Sequence, residues 1–330
     1  AAAMAEQHQL PFLDFTTAPP DSALFSPTAL AHYTAHHYVP YALENGTLTV
    51  ATTEPSTALK TQLESYYPYP IALAVTGPYD LANYFRTIAA TRFIKARTEA
   101  QTMGHLTCAS QSTDELLATL AAYADADVRH VLAIRGDMPG GPTVPWQRHP
   151  DGLANATELV RLIADNFGFG IGVAAFPDPH PQQRDADLDA RLLLAKQEAG
   201  ASFAITQLFF DADAYLRLVE RTRAVGCTLP IVAGIQPVTN IGQIERFATL
   251  SGASMPEAMV QRLHAVAHDP AEVRRVGVEL ATELSVKVLL GGAPGLQFFT
   301  LNRSRATSAI LANLRALGLD RRSPAAASDE

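Results

Sequence analysis

Cysteine is nearly absent: two residues among 330, Cys108 and Cys227. Each lies in or beside an apolar run, so neither a disulfide framework nor a Cys-rich zinc site has the residues it needs, and a reducing cytoplasm is the expected compartment. No stretch reaches the roughly eighteen uninterrupted apolar residues of a membrane span, and Ala1 to Leu10 has no apolar h-region, so no membrane partner is expected. Basic residues are few and scattered: 25 Lys and Arg against 33 Asp and Glu, a net charge of -8. Nucleic-acid binding needs clustered cations, so that partner is not expected either. No His or carboxylate pairs stand at metal-ligand spacing, and no metal is expected. G-x-x-x-x-G-K-[ST] is missing, which excludes a P-loop motor.

What is present is alternation. From about Gly46 onward, short β-rich apolar runs alternate with longer amphipathic stretches, the pattern of βα units around a parallel sheet. Eight runs can be counted: Leu48 to Thr52, Ile71 to Thr76, Met103 to Cys108, His130 to Arg135, Gly170 to Ala175, Phe203 to Phe209, Pro230 to Ile235 and Leu296 to Leu301. Helices are expected between them, such as Thr113 to Tyr123 capped by Thr113 and Asp213 to Ala224 capped by Asp213. An open doubly wound sheet would want G-x-G-x-x-G after its first strand, which is absent, so the expected fold is an α/β (β/α)8 TIM barrel. On this reading the barrel spans 46–320, residues 1–45 are an extension packed over it, and 321–330 are a disordered tail.

Barrel chemistry gathers at the C-terminal ends of strands. Polar groups stand at five such ends: His105 and Thr107; Arg135, Gly136 and Asp137; Phe176 to His180; Thr206 and Gln207; and Thr300 to Arg303. Any one of them reads equally well as a cap or a structural ion pair, and His105 alone as a hydrogen-bonded core histidine.

The stretches GHLTCAS (104–110), VLAIRGDMP (131–139), VAAFPDPHP (173–181), AGASFAITQLFFD (199–211), IVAGIQPVTN (231–240) and FFTLNRS (298–304) together resemble methylenetetrahydrofolate reductases, in order and spacing, over about residues 104–319. The resemblance implies a flavin-bearing barrel that takes hydride from NAD(P)H and reduces 5,10-methylenetetrahydrofolate to 5-methyltetrahydrofolate in one-carbon metabolism, with FAD and NAD(P)H as cofactors. By resemblance, Asp137 and Gln207 would be catalytic, Asp137 steadying the cationic iminium and Gln207 hydrogen-bonding the pterin. Thr76, His105, Thr107, Arg135, Gly136, Asp137, His180, Asp189 and Lys196 would contact the flavin. Gln207, Gln243, Phe247 and Arg303 would bind substrate, Phe247 by stacking and Arg303 at the negatively charged end of the folate or a cofactor phosphate.

The sequence departs from the family at its start. The glutamate of F-E-F-F-P-P, which protonates the folate nitrogen, has no counterpart; Glu54 is the acid nearest its place and equally reads as the partner of a helix start. Pro78 to Leu81 replaces the glycine-rich loop after strand two, and Asn155, Leu192 and Ala195 replace flavin-contacting positions. Residues of about 10–88, with LPFLDF, HHYVPYALENGTLTVATTEP and VTGPYDLANYF, are similar to the small αβ N-terminal domain of type II secretion ATPases and some membrane glycosyltransferases. The first ninety residues therefore either open a divergent barrel or form a separate module. Three functions follow: the flavin reductase, a catalytically impaired or regulatory folate/flavin binder, or flavin-free hydride transfer from NAD(P)H. A folate is the expected small-molecule partner, and a homo-oligomer is left open.

Overall fold

In a computed structural model the described residues are 2–13, 20–21, 24, 29–76, 91, 94–95, 98–138, 144–180, 184–301 and 303–319. The expectations for the tail after residue 320, for Pro78 to Leu81 and for Asn302 lie outside them.

The N-terminal elements are Ala2–His8 (α1), Phe12–Leu13 (β1), Leu30–Ala35 (α2), Tyr38–Glu44 (β2), Thr47–Thr52 (β3), Thr57–Tyr66 (α3) and Ile71–Thr76 (β4). Their strands form a four-stranded sheet in the order β1-β4-β3-β2. β2 runs antiparallel to β3, whereas β3 and β1 run parallel to β4. The β2–β3 connection is two residues, Asn45 and Gly46, both at positive φ (50° and 75°), which is the backbone a tight hairpin demands. Pro40 has no N–H to donate, and the ladder shifts register between Pro40 and Ala42. Tyr33, Tyr38, Leu48, Val50, Leu63 and Ile71 share a buried cluster. Ser56 caps α3 by accepting from the Leu59 N–H.

The remaining strands are Met103–Thr107 (β5), His130–Ile134 (β6), Gly170–Ala175 (β7), Phe203–Thr206 (β8), Ile231–Ile235 (β9) and Leu296–Phe298 (β10). They follow the sheet order β10-β9-β8-β7-β6-β5, each neighbour in the sheet also being a neighbour in the chain. The pairs β7–β8, β8–β9 and β9–β10 are parallel. Between them come Thr113–Asp125 (α4), Ala156–Asn166 (α5), Ala186–Glu198 (α6), Ala212–Ala224 (α7), Ile241–Ser251 (α8), Glu257–His264 (α9) and Pro270–Leu290 (α10), with Ser304–Ala316 (α11) last. The caps sit one or two residues earlier than expected. Ser112 closes a reciprocal capping box with Glu115 on α4, and the Asp211 carboxylate accepts from the Asp213 N–H at the start of α7.

By compactness the chain divides into two units. One holds residues 1–131 with 147–154 and 167–169, and the other holds 132–146, 155–166 and 170–330.

Two expectations are corrected. All eight runs form strands, but the first two, now β3 and β4, are not the opening strands of an eight-stranded barrel. Their hydrogen bonds go to β1, β2 and each other, and among the described residues the β/α sheet has six strands. Within residues 1–45, expected either as an extension over the barrel or as part of a separate module of the first ninety residues, β2 is a full strand of the four-stranded sheet.

Candidate active site

The second unit gathers a charged cluster at the ends of β6 and β7. After β6 the chain passes through Arg135, then Gly136 at φ +80°, then Asp137. That backbone region costs a side-chain-bearing residue about 1–2 kcal/mol, so the glycine is set by the turn that presents its two charged neighbours. The Arg135 guanidinium lies 5.7 Å from the ring centre of Trp146, within cation–π range. After β7, Phe176 meets the His180 ring edge-on at 4.8 Å.

α6 supplies the other members. The His180 backbone N–H donates to Asp189 Oδ2 at 2.9 Å, and Lys196 Nζ donates to the Ala174 carbonyl of β7 at 3.3 Å. Burial holds the His180 imidazole below its ordinary pKa, Asp189 and Asp137 pull it up, and Arg135 and Lys196 push it down. Those four charges are therefore close enough to act on one ring. Burial also lowers the Lys196 ammonium to about 8, against the pull of Asp189. At neutral pH His180 is a neutral donor and acceptor beside two cations and two anions. Arg135, Lys196 and His180 are the residues of this cluster able to hold an anionic or hydrogen-bonding cofactor, with Asp137 and Asp189 balancing the charge.

Gln207 follows β8. Its backbone N–H donates to the Ala175 carbonyl at 2.8 Å, and its side-chain Oε1 accepts from the Leu208 N–H at 2.9 Å. Its amide NH2 has no partner among the described residues. Beside it, Thr206 Oγ1 accepts from the Gly234 N–H at 2.8 Å, locking β8 to β9. A Cβ on Gly234 would collide with the Thr206 carbonyl, so the two strand ends approach as only glycine permits.

The other expected residues fall in separate places. Gln243 and Phe247 lie one turn apart on α8, whose cap is Asn240; Gln243 is exposed and Phe247 partly so. Arg303 is exposed and, with Thr239, Arg274, Ser304, Arg305 and Ala306, lines a cavity of about 370 Å³. His105 and Thr107 belong to β5 in the first unit; the His105 side chain is exposed, and its carbonyl accepts from Tyr123 Oη at 2.8 Å. Thr76 is the clearest departure. It is fully buried in β4, opposite Leu13 of β1, so it ends a strand of the four-stranded sheet and not the second strand of a barrel. Glu54 sits in the exposed turn between β3 and α3, its N–H donating to Thr52 Oγ1 at 3.1 Å, while the cap of α3 is Ser56 and not Glu54.

Sequence reasoning gave no role to Trp146, Asp178, Arg274 or Arg305. Trp146 carried no motif. Asp178 stood within the Phe176 to His180 strand end with no role of its own, yet burial raises its carboxyl above the ordinary range, a rise that hydrogen bonds from Ser254 oppose. Arg274 and Arg305 join Arg303 around one cavity, and the signal was the repeat of arginine in Arg303-Ser304-Arg305.

No described helix is long and apolar enough to cross a membrane. Among the described residues no group of three or more His, Cys, Asp or Glu could hold a metal ion.

Two family models match the chain, over stretches that overlap. The family model for the MshEN domain matches residues 8–92, and that for methylenetetrahydrofolate reductase matches residues 60–315. The 5,10-methylenetetrahydrofolate reductase of Pectobacterium carotovorum subsp. carotovorum is 37% identical over 244 residues, 73% of this chain and 78% of that protein. The enzyme of the same name from Escherichia coli (strain K12) is 36% identical over 243 residues, 73% of this chain and 79% of that one. A probable methylenetetrahydrofolate reductase (NADPH) of Caenorhabditis elegans is 35% identical over 216 residues, 64% of this chain and 32% of that protein. With a family match across 60–315 and relatives of this identity over most of their own length, the chain belongs to the methylenetetrahydrofolate reductase family.

Proposed function

We propose that this chain reduces 5,10-methylenetetrahydrofolate to 5-methyltetrahydrofolate, with FAD as bound cofactor and NAD(P)H as the source of hydride. The observation that carries the reading is the meeting of Arg135, Asp137, Asp189 and Lys196 around His180, since these are the positions at which the family resemblance expects flavin. When bound, the flavin supplies a two-electron carrier between nicotinamide and folate. The chain's own residues bind, orient and balance charge. Arg135 and Lys196 meet the anionic parts of the cofactor, and neutral His180 offers a hydrogen bond without adding charge. Asp137 steadies the cation that forms when the one-carbon ring opens. Gln207 offers its uncommitted amide donors to the pterin, Phe247 and Gln243 flank a planar ring, and Arg303 takes the folate's carboxylate end.

A second reading has its own support: a barrel that binds folate and flavin without turning over. The strands from which the family's ring-opening acid would come are replaced by β3 and β4 of another sheet, and Glu54 is exposed in a turn there. One cuvette separates the two. The purified protein is expected to be yellow, to bleach anaerobically on NADH or NADPH, and to recover colour on addition of methylenetetrahydrofolate. Bleaching without recovery would establish the second reading. A colourless protein that oxidises NAD(P)H only with folate would mean direct transfer, and a colourless protein inert to both would end the reductase reading.

A further inference from the structure

A cavity between α9 and α10 takes no part in the chemistry proposed above. It lies beside the ends of β8 and β9 and has a volume of about 240 Å³, and none of its lining residues belongs to the charged cluster or to the Gln243, Phe247 and Arg303 positions. Its walls are apolar: Phe210 after β8, Val238 after β9, Met259 on α9, and Leu280 and Leu284 one turn apart on α10. Such walls draw in a ligand by shedding water. The volume is below the roughly 300 Å³ at which sites for drug-sized ligands begin, which matches a molecule of one or two rings.

Gln236 is the exception in that lining. It directly follows β9 and is only 9% exposed, and among the described residues its side-chain amide makes no hydrogen bond. Burying an amide without a partner is unfavourable. Elsewhere the chain avoids that cost: Gln111 Nε2 donates to the Thr107 carbonyl at 2.7 Å, and Gln197 Oε1 accepts from the Thr228 and Leu229 N–H groups. The cavity is the space in which the Gln236 amide can meet a partner.

The charged groups around the cavity are already committed. Arg262 forks onto Glu283 at 2.9 and 3.0 Å, and the Asp211 carboxylate caps α7 and meets Arg217 at 3.4 Å. Lys287 is exposed and keeps its ammonium in water. A carboxylate ligand would accept from the NH2 of Gln236 and leave its Oε1 without a donor. A neutral amide with N–H and C=O on one edge satisfies both, its carbonyl accepting from Nε2 and its N–H donating to Oε1.

We infer that this cavity is a second ligand site, taking a small neutral molecule with an apolar ring body and a cis-amide edge of the lactam class, held by paired hydrogen bonds to Gln236. The site stands whether or not the chain turns folate over.

Titration of the full chain, as purified, with 2-quinolone and with coumarin, followed by saturation-transfer NMR, tests this. The two probes share one shape, and coumarin has a ring oxygen where 2-quinolone has the N–H. The lactam is expected to bind roughly tenfold more tightly, the worth of one neutral hydrogen bond. Gln236→Leu should bring that ratio near one, and should raise the urea midpoint of the unliganded chain because it removes an unpaired buried amide. Equal binding of the two probes by the parent chain would overturn the site, as would a preference that survives Gln236→Leu. A lower urea midpoint in the variant would show the amide already satisfied, and binding of neither probe would leave the cavity to water; either result ends the inference. Release of bound flavin by 2-quinolone would place the probe at the charged cluster and refute a second site.

Discussion

Lys196 is a cation whose surroundings disfavour its charge. Burial holds its pKa to about 8, and Asp189 compensates only in part. Lys196→Met keeps the length and apolar stem while removing the charge, so at pH 7 the variant should be more stable by about 1–2 kcal/mol. The same change should weaken retention of an anionic cofactor by roughly tenfold or more, because a charge-assisted hydrogen bond is lost. Urea unfolding and the flavin content of the purified protein check the two halves. A variant less stable than the parent and equally yellow would show that Lys196 is a packing residue. The candidate residues themselves were legible in the sequence where they follow a strand directly: Arg135, Asp137, His180 and Gln207 all emerge at such ends. Asp178 was not, because its departure from an ordinary carboxylate comes from burial that no local motif encodes.

At the scale of elements, close approach decides several positions. A Cβ on Gly277 of α10 would run into the Val238 carbonyl just after β9, next to the buried cluster of Val238, Ile244, Met259, Leu263 and Val276. Gly277→Ala should therefore destabilise by about 1–3 kcal/mol even though alanine favours helix, and a denaturant midpoint shifted the other way would refute the close packing. Strand positions were readable because an apolar run with β-branched residues announces a strand. Their partners were not, because periodicity carries no address. β3 and β4 look like barrel strands in isolation, and what reassigns them is β2, hidden by Pro40 and by the bulge that accommodates it. Asn45 and Gly46 were the usable clue, a two-residue hairpin signature between Tyr38–Glu44 and Thr47–Thr52.

For the whole molecule, two groups of the cluster each contribute to the pH dependence with a definite sign. His180 has its folded pKa lowered from 6.5, so the unfolded chain binds more protons than the folded one once pH falls below that value, and stability is lost there. Lys196 is lowered from 10.5 to about 8, so stability grows as pH rises from about 8 toward 10.5. Unfolding midpoints measured near pH 5.5, 7 and 9 should rise in that order from these two contributions, and Lys196→Met should flatten the step above pH 7 while leaving the acid side. An unchanged alkaline step in the variant would place its origin elsewhere.

The stacking of Arg135 on Trp146 has a practical side. Trp146 is the chain's single tryptophan, so every photon of indole emission originates beside the charged cluster. A chromophore absorbing in the near ultraviolet or blue and seated nearby would drain that emission by resonance transfer, and its departure would restore it. The protein thus carries an intrinsic optical gauge of occupancy at one place, readable without label or mutation.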